Sequence, residues 1–219
     1  MTEHFVQFYE EDAYLVSQVA GFIRAGLRSG DAVVVIATKP HRDELEKRLR
    51  ADVVSAAANR PGAELYVALD AADTLSKFFI NGKLDEKRCS DSIEPILRRA
   101  ASCGTGRVRV FGEMVALLCT LGMHKTAIRL EELWNNLGKI HSFSLFCAYP
   151  MRAFPTEAHG APFLAICNAH ARVRPAESYI PPANAHEHYL AIATLQQKAT
   201  ALEFATSLRR DAEKVLQQG

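Results

Sequence analysis

Residues 32–37 read AVVVIA, a continuous apolar run that is rich in β-branched side chains. Such a run is typical of a strand that is buried on both faces, as the strands of a parallel sheet are. The flanking residues agree, because Ser29-Gly30-Asp31 predicts a turn before the run and Pro40 suits the first turn of a following helix. We therefore predict that residues 32–37 form a strand of an α/β sheet.

Strand-like and helical segments alternate along most of the chain. We predict strands at residues 4–9, 32–37, 64–69, 107–111 and 143–149, and helices at about residues 10–29, 40–50, 70–80, 85–102, 113–121 and 125–137. Residues 163–170 suit either a helix or a strand, and we favour a helix. Alternation of this kind predicts βαβ units, and right-handed crossovers then put helices on both faces of a mostly parallel sheet.

A long final helix is predicted from about Asn184 almost to Gly219. Pro175, Pro181 and Pro182 predict a stiff connector before it, so we divide the chain into a domain of residues 1–180 and a helix of residues 184–219. The apolar residues of this helix recur at steps of three and four, which is typical of a helix that pairs with a partner helix. They are Leu195, Ala199, Leu202, Ala205, Leu208, Ala212 and Val215. We expect a homodimer or a signalling helix, and the alternative is that the helix packs back on its own domain.

The composition is that of an ordinary globular protein, with 48% hydrophobic residues and a formal net charge of +1. This charge balance predicts no dedicated nucleic-acid surface. The chain has neither an apolar stretch long enough for a membrane span nor the features of a signal peptide, so we expect a cytoplasmic protein. Its five cysteines form no CxxC pair and are expected to be reduced thiols.

Nucleotide binding is disfavoured by the residues that follow the first predicted strand. These residues are Tyr9-Glu10-Glu11-Asp12, whose carboxylates would repel a triphosphate, and the sequence contains no G-x-x-x-x-G-K-[ST] loop. Gly104-x-Gly106 precedes a strand rather than opening a helix, which is the wrong context for a dinucleotide loop.

Candidate ligand contacts lie at the ends of predicted strands, where α/β sheets bind their ligands. Glu113 follows the strand at residues 107–111, and its carboxylate either accepts a hydrogen bond from a ligand or caps its own helix. Aromatic residues near strand ends could line the same cleft, although each is also ordinary core material. The selected residues are His4, Phe8, Tyr9, Glu113, Trp134 and Tyr149, and we expect His4 and Tyr9 to neighbour Glu113.

Metal binding and catalysis have only weak signals. Cys167-x-x-His170, with His159 nearby, and His186-x-His188 have spacings that suit two metal ligands each. A zinc site needs three or four ligands in a convincing pattern, so we predict no metal and no other cofactor. Cys147 and His170 could act as a nucleophilic pair only if the fold brings them together, and we interpret Cys147 as structural. We predict no catalytic residue and no enzymatic activity.

Four blocks of sequence together resemble the MEDS family, the methanogen/methylotroph sensory domain named for the DcmR dichloromethane-responsive regulator. They are residues 4–10 (HFVQFYE), 111–115 (FGEMV), 130–135 (LEELWN) and 147–150 (CAYP), and the resemblance extends over residues 4–180. It implies a fold like those of RecA and KaiC with a degenerate nucleotide site. It also implies that the domain senses small organic molecules and that the last helix leads towards an output module.

The first functional hypothesis is thus a non-enzymatic sensory domain that binds a small organic ligand and signals to a histidine kinase or a transcriptional regulator. The alternatives, in order, are a nucleotide-binding RecA-like protein without hydrolysis, a small-molecule enzyme that uses Glu113 or Cys147, and a scaffold that acts through its C-terminal helix. We expect no membrane partner and no direct nucleic-acid partner.

Overall fold

The computed structural model of the chain describes residues 3–59, 64–179 and 184–217, and within the last range it leaves out the side chains of residues 211, 212 and 215–217. The chain divides into two units, Met1–Ser178 and Tyr179–Gly219. The predicted connector prolines Pro181 and Pro182 lie outside the described residues. The side chains of Ala212 and Val215, the last two positions of the predicted apolar pattern, lie outside them as well.

The first unit is built on a six-stranded sheet in which every strand pairs parallel to its neighbours. The strands of the chain are β1 (His4–Tyr9), β2 (Ala32–Ala37), β3 (Tyr66–Asp70), β4 (Phe79–Ile80), β5 (Lys83–Leu84), β6 (Val108–Gly112), β7 (Phe143–Pro150) and β8 (Arg172–Arg174). The sheet has the order β3-β2-β6-β7-β1-β8, and β4 pairs with β5 in a separate antiparallel hairpin.

Helices cover both faces of the sheet. The helices are α1 (Asp12–Ser29), α2 (Lys39–Asn59), α3 (Ala71–Ser76), α4 (Glu86–Cys103), α5 (Met114–Thr120), α6 (His124–Ile140), α7 (Gly160–Asn168) and α8 (Ala185–Gln217). Phe22 of α1 meets Phe146 of β7, whereas α6 meets the adjacent Cys147. Because successive side chains of a strand point to opposite faces, α1 and α6 lie on opposite sides of the sheet. Helix α2 packs beside α1, and α4, α5 and α7 pack beside α6.

Strand β2 is buried, as its β-branched apolar run predicts, and β1 is buried as well. Every residue of β1 and of β2 is buried, because helices cover both faces of the sheet at these strands. The predicted α/β class, with a parallel sheet, helices on both faces and a long C-terminal helix, is confirmed.

Two predicted helices have other ends in the structure, and one strand was not predicted. The helix predicted at residues 70–80 ends at Ser76, because Asn81 and Gly82 adopt positive φ angles of 52° and 77° and turn Phe79–Ile80 back onto Lys83–Leu84. An Asn-Gly pair of this conformation closes a two-residue hairpin rather than ending a helix. Helix α2 continues to Asn59, beyond the predicted end at Arg50. Strand β8 was not predicted, since three residues carry too little periodicity to be recognised.

The second unit contains α8, a helix of 33 residues. Its large apolar side chains are exposed, among them Leu195, Leu202 and Leu208. None of the helices in the described part of the chain has the length and apolar character needed to cross a membrane.

Candidate functional site

The strand order creates a crevice at the carboxyl ends of β2 and β6. These neighbouring strands continue into helices on opposite faces, because α2 lies with α1 and α5 lies with α6. The loops after the two strands therefore diverge, and such a point is where open α/β sheets bind ligands. Glu113, the residue that follows β6, lies at this crevice.

Glu113 fills the crevice with its own side chain. Its carboxylate accepts a hydrogen bond from the backbone N–H of Thr38 at 2.7 Å and contacts Nδ1 of His41 at 2.6 Å. Nε2 of His41 lies 3.6 Å from a carboxylate oxygen of Asp12, at the start of α1. Glu113 is only 3% exposed and makes no side-chain hydrogen bond that caps α5. The carboxylate thus joins the loop after β2 to the loop after β6. We call Asp12, Thr38, His41 and Glu113 the crevice network.

The electrostatics of the crevice network favour a protonated histidine. Burial lowers the pKa of His41, but its hydrogen bond to Glu113 and the charges of Glu113 and Asp12 outweigh this effect, so the pKa is raised. Burial and the same two carboxylates raise the pKa of Tyr9, whose phenol therefore stays neutral. An imidazolium between carboxylates is satisfied without a ligand, and the acids at the crevice disfavour an incoming phosphate.

A second polar cluster lies inside the protein, between the sheet and helices α6 and α7. Its centre is Glu131 of α6, whose side chain has 0% exposure. The hydroxyl of Tyr149 donates to Oε1 of Glu131 at 2.5 Å, and the thiol of Cys147 donates to Oε2 at 3.4 Å. Nε2 of His4 lies 3.2 Å from Oε2, and Nε2 of His170 lies 3.4 Å from Oε1. We call these five residues the Glu131 cluster.

Four separate parts of the chain supply the Glu131 cluster. Val6 pairs with Cys147 in the register of β1 and β7, so His4, Cys147 and Tyr149 point to the same face of the sheet. Glu131 comes from the buried side of α6, and His170 follows α7. The cluster therefore forms only when β1, α6, β7 and the end of α7 are packed together.

Each histidine of the Glu131 cluster is held by a hydrogen bond on its other ring nitrogen. Nδ1 of His170 donates to the backbone carbonyl of Ile166 at 2.7 Å. Nδ1 of His4 lies 2.9 Å from Oδ1 of Asn135, and the amide nitrogen of Asn135 donates to the carbonyl of Ala169. That second bond orients the amide so that its oxygen faces His4, which makes Nδ1 of His4 the donor. Both Nε2 atoms consequently point at Glu131.

The buried charge of Glu131 controls the ionisation of its neighbours. Burial raises the pKa of Glu131, but the charges and hydrogen bonds of His170 and His4 outweigh it and hold the pKa well below its usual range. Burial lowers the pKa of His170, and the Glu131 carboxylate more than compensates, so that pKa is raised. Burial and the same carboxylate raise the pKa values of Cys147 and Tyr149, which keeps both protonated.

A cavity of about 180 Å³ lies next to the Glu131 cluster. Its lining residues come from the first strand, α6 and β7: Glu3, His4, Trp134, Asn135, Gly138, Lys139, Phe143 and Leu145. Trp134 is 2% exposed, and its indole N–H has no hydrogen-bond partner among the described residues. A buried donor without a partner is costly, so a side chain that lines this cavity carries a hydrogen bond that the described residues do not satisfy.

The six residues selected from the sequence do not meet in one cleft. His4 and Tyr149 belong to the Glu131 cluster, and Trp134 shares the cavity with His4. Phe8 is core material that stacks on Phe163 with ring centroids 4.5 Å apart. Tyr9 and Glu113 are at the crevice, at the opposite end of β1 from His4. Five residues of strand span about 16 Å, so His4 is not the neighbour of Glu113 that we expected.

Glu131, His41 and Asn135 are the site residues that the sequence analysis missed. A signal for Glu131 was available, because it lies among Ala127, Leu130 and Trp134 on the apolar side of a predicted helix. Acidic residues are almost never fully buried unless they are paired, so a carboxylate at such a position indicates a polar site. Neither His41 nor Asn135 carries a comparable signal, since each acts through a partner that is distant in the sequence.

The fold and the sites define a class of protein: a parallel α/β domain without a phosphate-loop motif, with a buried polar cluster beside a small cavity. The sequence profile of the MEDS family, the methanogen/methylotroph, DcmR sensory domain, matches residues 3–163. This chain therefore belongs to the MEDS family of sensory domains, as its resemblance predicted. No curated protein and no solved structure matches the chain.

Proposed function

We propose that this chain is a non-enzymatic signal-input domain whose ligand is a small organic molecule bound in the cavity beside Trp134. The observation that carries this proposal is the buried indole N–H, which has no partner among the described residues and belongs to a side chain that lines the cavity. A ligand whose hydrogen-bond acceptor reaches this donor would satisfy it and gain a directional contact, in a pocket lined by both apolar and polar side chains.

The cavity restricts the size and chemistry of the ligand. Cavities of about 150 Å³ accommodate a molecule the size of benzene, so a volume of about 180 Å³ suits a compound of similar or slightly larger size. Trp134, Phe143 and Leu145 supply apolar contacts, and Glu3 and Lys139 add charged groups of opposite sign. We propose a compact organic compound with an apolar body and one acceptor group.

The proposed output is through α8 to a histidine kinase or a transcriptional regulator, in the cytoplasm and as a homodimer. Exposed leucines on α8 support this part of the proposal, because a helix with exposed apolar residues at steps of three and four gains free energy by pairing with another helix. The nucleotide-binding alternative ranks second, since the Glu113 carboxylate occupies the crevice in which an α/β sheet would hold a nucleotide.

The ligand proposal is tested by titrating the full chain with a panel of compact organic compounds and, separately, with ATP and magnesium. Trp134 is the only tryptophan, so any change in tryptophan emission reports on the cavity directly. A ligand at 100 times its dissociation constant adds about 2.7 kcal/mol of stability, which raises the melting temperature by several degrees. We expect both signals with at least one organic compound and neither with ATP.

Trp134→Phe is the decisive variant, because it keeps an aromatic ring and removes the N–H. Calorimetry should show binding weakened about tenfold or more, the cost of a lost hydrogen bond to a buried donor. Tyr66→Phe is the matched control, since it also removes a buried polar atom without a hydrogen-bond partner but lies in β3, away from the cavity lining. A melting-temperature rise with ATP and magnesium only would favour the nucleotide-binding alternative. A dimer that responds to no compound would favour the scaffold alternative.

A further inference from the structure

The Glu131 cluster contains four side chains that are typical metal ligands: His4, Glu131, Cys147 and His170. One ligand atom from each of them lies within 4.8 Å of all the others, and all four residues are buried. The sequence predicted no metal, because these ligands come from four distant segments and only His170 belongs to a recognised spacing. The fold therefore creates a grouping that sequence spacing could not reveal.

Three distances within the group match the edges of a tetrahedral metal site. Nε2 of His4, Sγ of Cys147 and Oε2 of Glu131 form a triangle with sides of 3.2, 3.4 and 3.4 Å. Zinc binds nitrogen and oxygen at about 2.0–2.2 Å and sulfur at about 2.3 Å, so tetrahedral neighbours lie about 3.3–3.6 Å apart. Nε2 of His170 lies 3.4 Å from the other oxygen of Glu131, and the ligand atoms of all four residues lie within 4.8 Å of one another, so a small inward movement of the imidazole would complete the set.

Both histidines are already oriented as metal ligands. Nδ1 of His4 donates to the side-chain oxygen of Asn135, and Nδ1 of His170 donates to the backbone carbonyl of Ile166. Metal-bound histidines almost always donate their second N–H in this way, since the bond fixes the ring and leaves Nε2 as the coordinating atom. Nε2 of His170 faces Oε1 of Glu131 at 3.4 Å, which is long for a hydrogen bond, and it has no closer hydrogen-bond partner among the described residues.

The charge of such a complex suits its burial. A divalent cation bound by one thiolate, one carboxylate and two neutral imidazoles has no net charge, and an uncharged complex avoids the large penalty of burying an isolated ion. Coordination forms a metal–sulfur bond and releases the thiol proton of Cys147 to solvent, together with the Nε2 proton of any imidazole that is charged before the metal binds. A cysteine among the ligands favours zinc over calcium or magnesium, which bind through oxygen.

We propose that His4, Glu131, Cys147 and His170 form a binding site for a divalent transition-metal ion of the zinc type. The ion would tie β1, α6, β7 and the segment after α7 together at one point. His4 and Asn135 also line the cavity beside Trp134, so the metal site borders the proposed ligand site without depending on it.

The experiment uses the full chain, stripped with a chelator and then titrated with Co²⁺ and Zn²⁺. Co²⁺ in a tetrahedral site gives visible absorption, and a thiolate ligand adds a sulfur-to-cobalt charge-transfer band in the near ultraviolet. We expect both features to saturate at one Co²⁺ per chain, to disappear when Zn²⁺ is added, and to accompany a rise in melting temperature.

Three variants assign the ligands. Cys147→Ser should abolish the charge-transfer band, and His170→Gln should weaken binding about 100-fold or more, since each removes one of four ligands. Asn135→Ala should keep the band and weaken binding about 10- to 100-fold, the usual effect of removing a partner that positions a ligand. Circular dichroism of each metal-free variant establishes that it is folded.

Matched controls separate this site from other thiols and histidines. Cys89→Ser changes another buried cysteine, in α4, and the double variant His186→Gln, His188→Gln changes the histidine pair of α8. Both should bind Co²⁺ as the unchanged protein does. The proposal is overturned if the folded, metal-free chain takes up no Co²⁺ or Zn²⁺ at micromolar concentration, or if Cys147→Ser keeps the charge-transfer band. Failure of the cavity ligand to bind leaves these readings unaffected.

Discussion

Glu113 and His41 form an ion pair in the crevice at the carboxyl ends of β2 and β6. Their contact of 2.6 Å joins the loops after β2 and β6, and Asp12 lies on the other side of the imidazole. The carboxylate is buried, so it is not the solvent-facing group that a ligand anchor at a strand end suggests. The same residue still defines the position of the crevice, because it follows β6 at the point where the chain directions diverge.

The pH dependence of stability should reflect the raised pKa of His41. Between its unfolded pKa of about 6.5 and its higher native pKa, the native state binds more protons than the unfolded state. The contribution of His41 is therefore complete below about pH 6.5 and is lost as the pH rises through the native value. Urea unfolding at a series of pH values should show a free energy of unfolding that falls over this range.

Glu113→Gln isolates the contribution of this pair. The amide oxygen still accepts from the N–H of Thr38, but the charge that raises the pKa of His41 is removed, so the dependence on pH should become shallower. Part of the slope should remain, since the pKa of His170 is raised as well. His188→Gln, an exposed histidine of α8, is the control and should reproduce the original slope. An unchanged slope in Glu113→Gln would contradict this account.

At the scale of elements, the structure shows why two turns contain glycine, which the sequence alone did not explain. Asn81-Gly82 closes the hairpin of β4 and β5, where positive φ angles favour these residue types. Gly104 has an ordinary negative φ, but a Cβ there would lie 2.7 Å from the carbonyl oxygen of Gly30 and 3.0 Å from the nitrogen of Ala32. Gly104 is thus needed for the close approach of two backbones and not for a phosphate.

Gly104→Ala should destabilise the protein by about 1–3 kcal/mol, because the atoms that the new methyl group meets are backbone and cannot rotate away. The turn at Gly104 and the turn at Gly30 are joined by a hydrogen bond from the N–H of Thr105 to the carbonyl oxygen of Gly30, and a shift of the backbone would stretch this bond. Denaturant unfolding measures the effect. Gly21→Ala is the matched control: it lies inside α1 with nothing within 4 Å of its Cβ, so it should gain about 0.5–1 kcal/mol. Equal effects of the two changes would show that packing at Gly104 is not the cause.

At the scale of the whole molecule, the chain combines a sensory domain with a long helix that has exposed apolar residues. We predict that the full chain is a dimer through α8, since exposed leucines on a helix are stabilised by a partner. Light scattering with size exclusion should give a dimer for the unchanged chain and a monomer for the double variant Leu195→Asp, Leu202→Asp.

The control for this prediction is Leu121→Asp, which changes an equally exposed leucine in the first unit. It should remain a dimer. A monomeric unchanged chain at micromolar concentration, or a double variant that still dimerises, would contradict pairing through α8. In the second case the interface would lie on the first unit instead.

The sequence by itself determined the fold class, the family and most of the elements. A β-branched apolar run such as residues 32–37 is a local pattern, and so are apolar residues at helical steps of three and four. Each predicts its element without knowledge of the segments against which that element packs. Asp70 stands at the start of the helix predicted at residues 70–80 and accepts hydrogen bonds from the N–H groups of Ala72 and Asp73, an N-cap that depends on neighbouring residues alone.

Only the tertiary structure decided where the polar chemistry lies. His4 and Glu113 both flank predicted strands, yet one lies at the amino end of β1 and the other at the carboxyl end of β6. Glu131 meets His4 and Cys147 because strand order and helix packing bring together residues that are far apart in the chain. Sequence periodicity specifies which side of an element is buried, but the partners of a buried charge are set by long-range packing, which no local pattern contains.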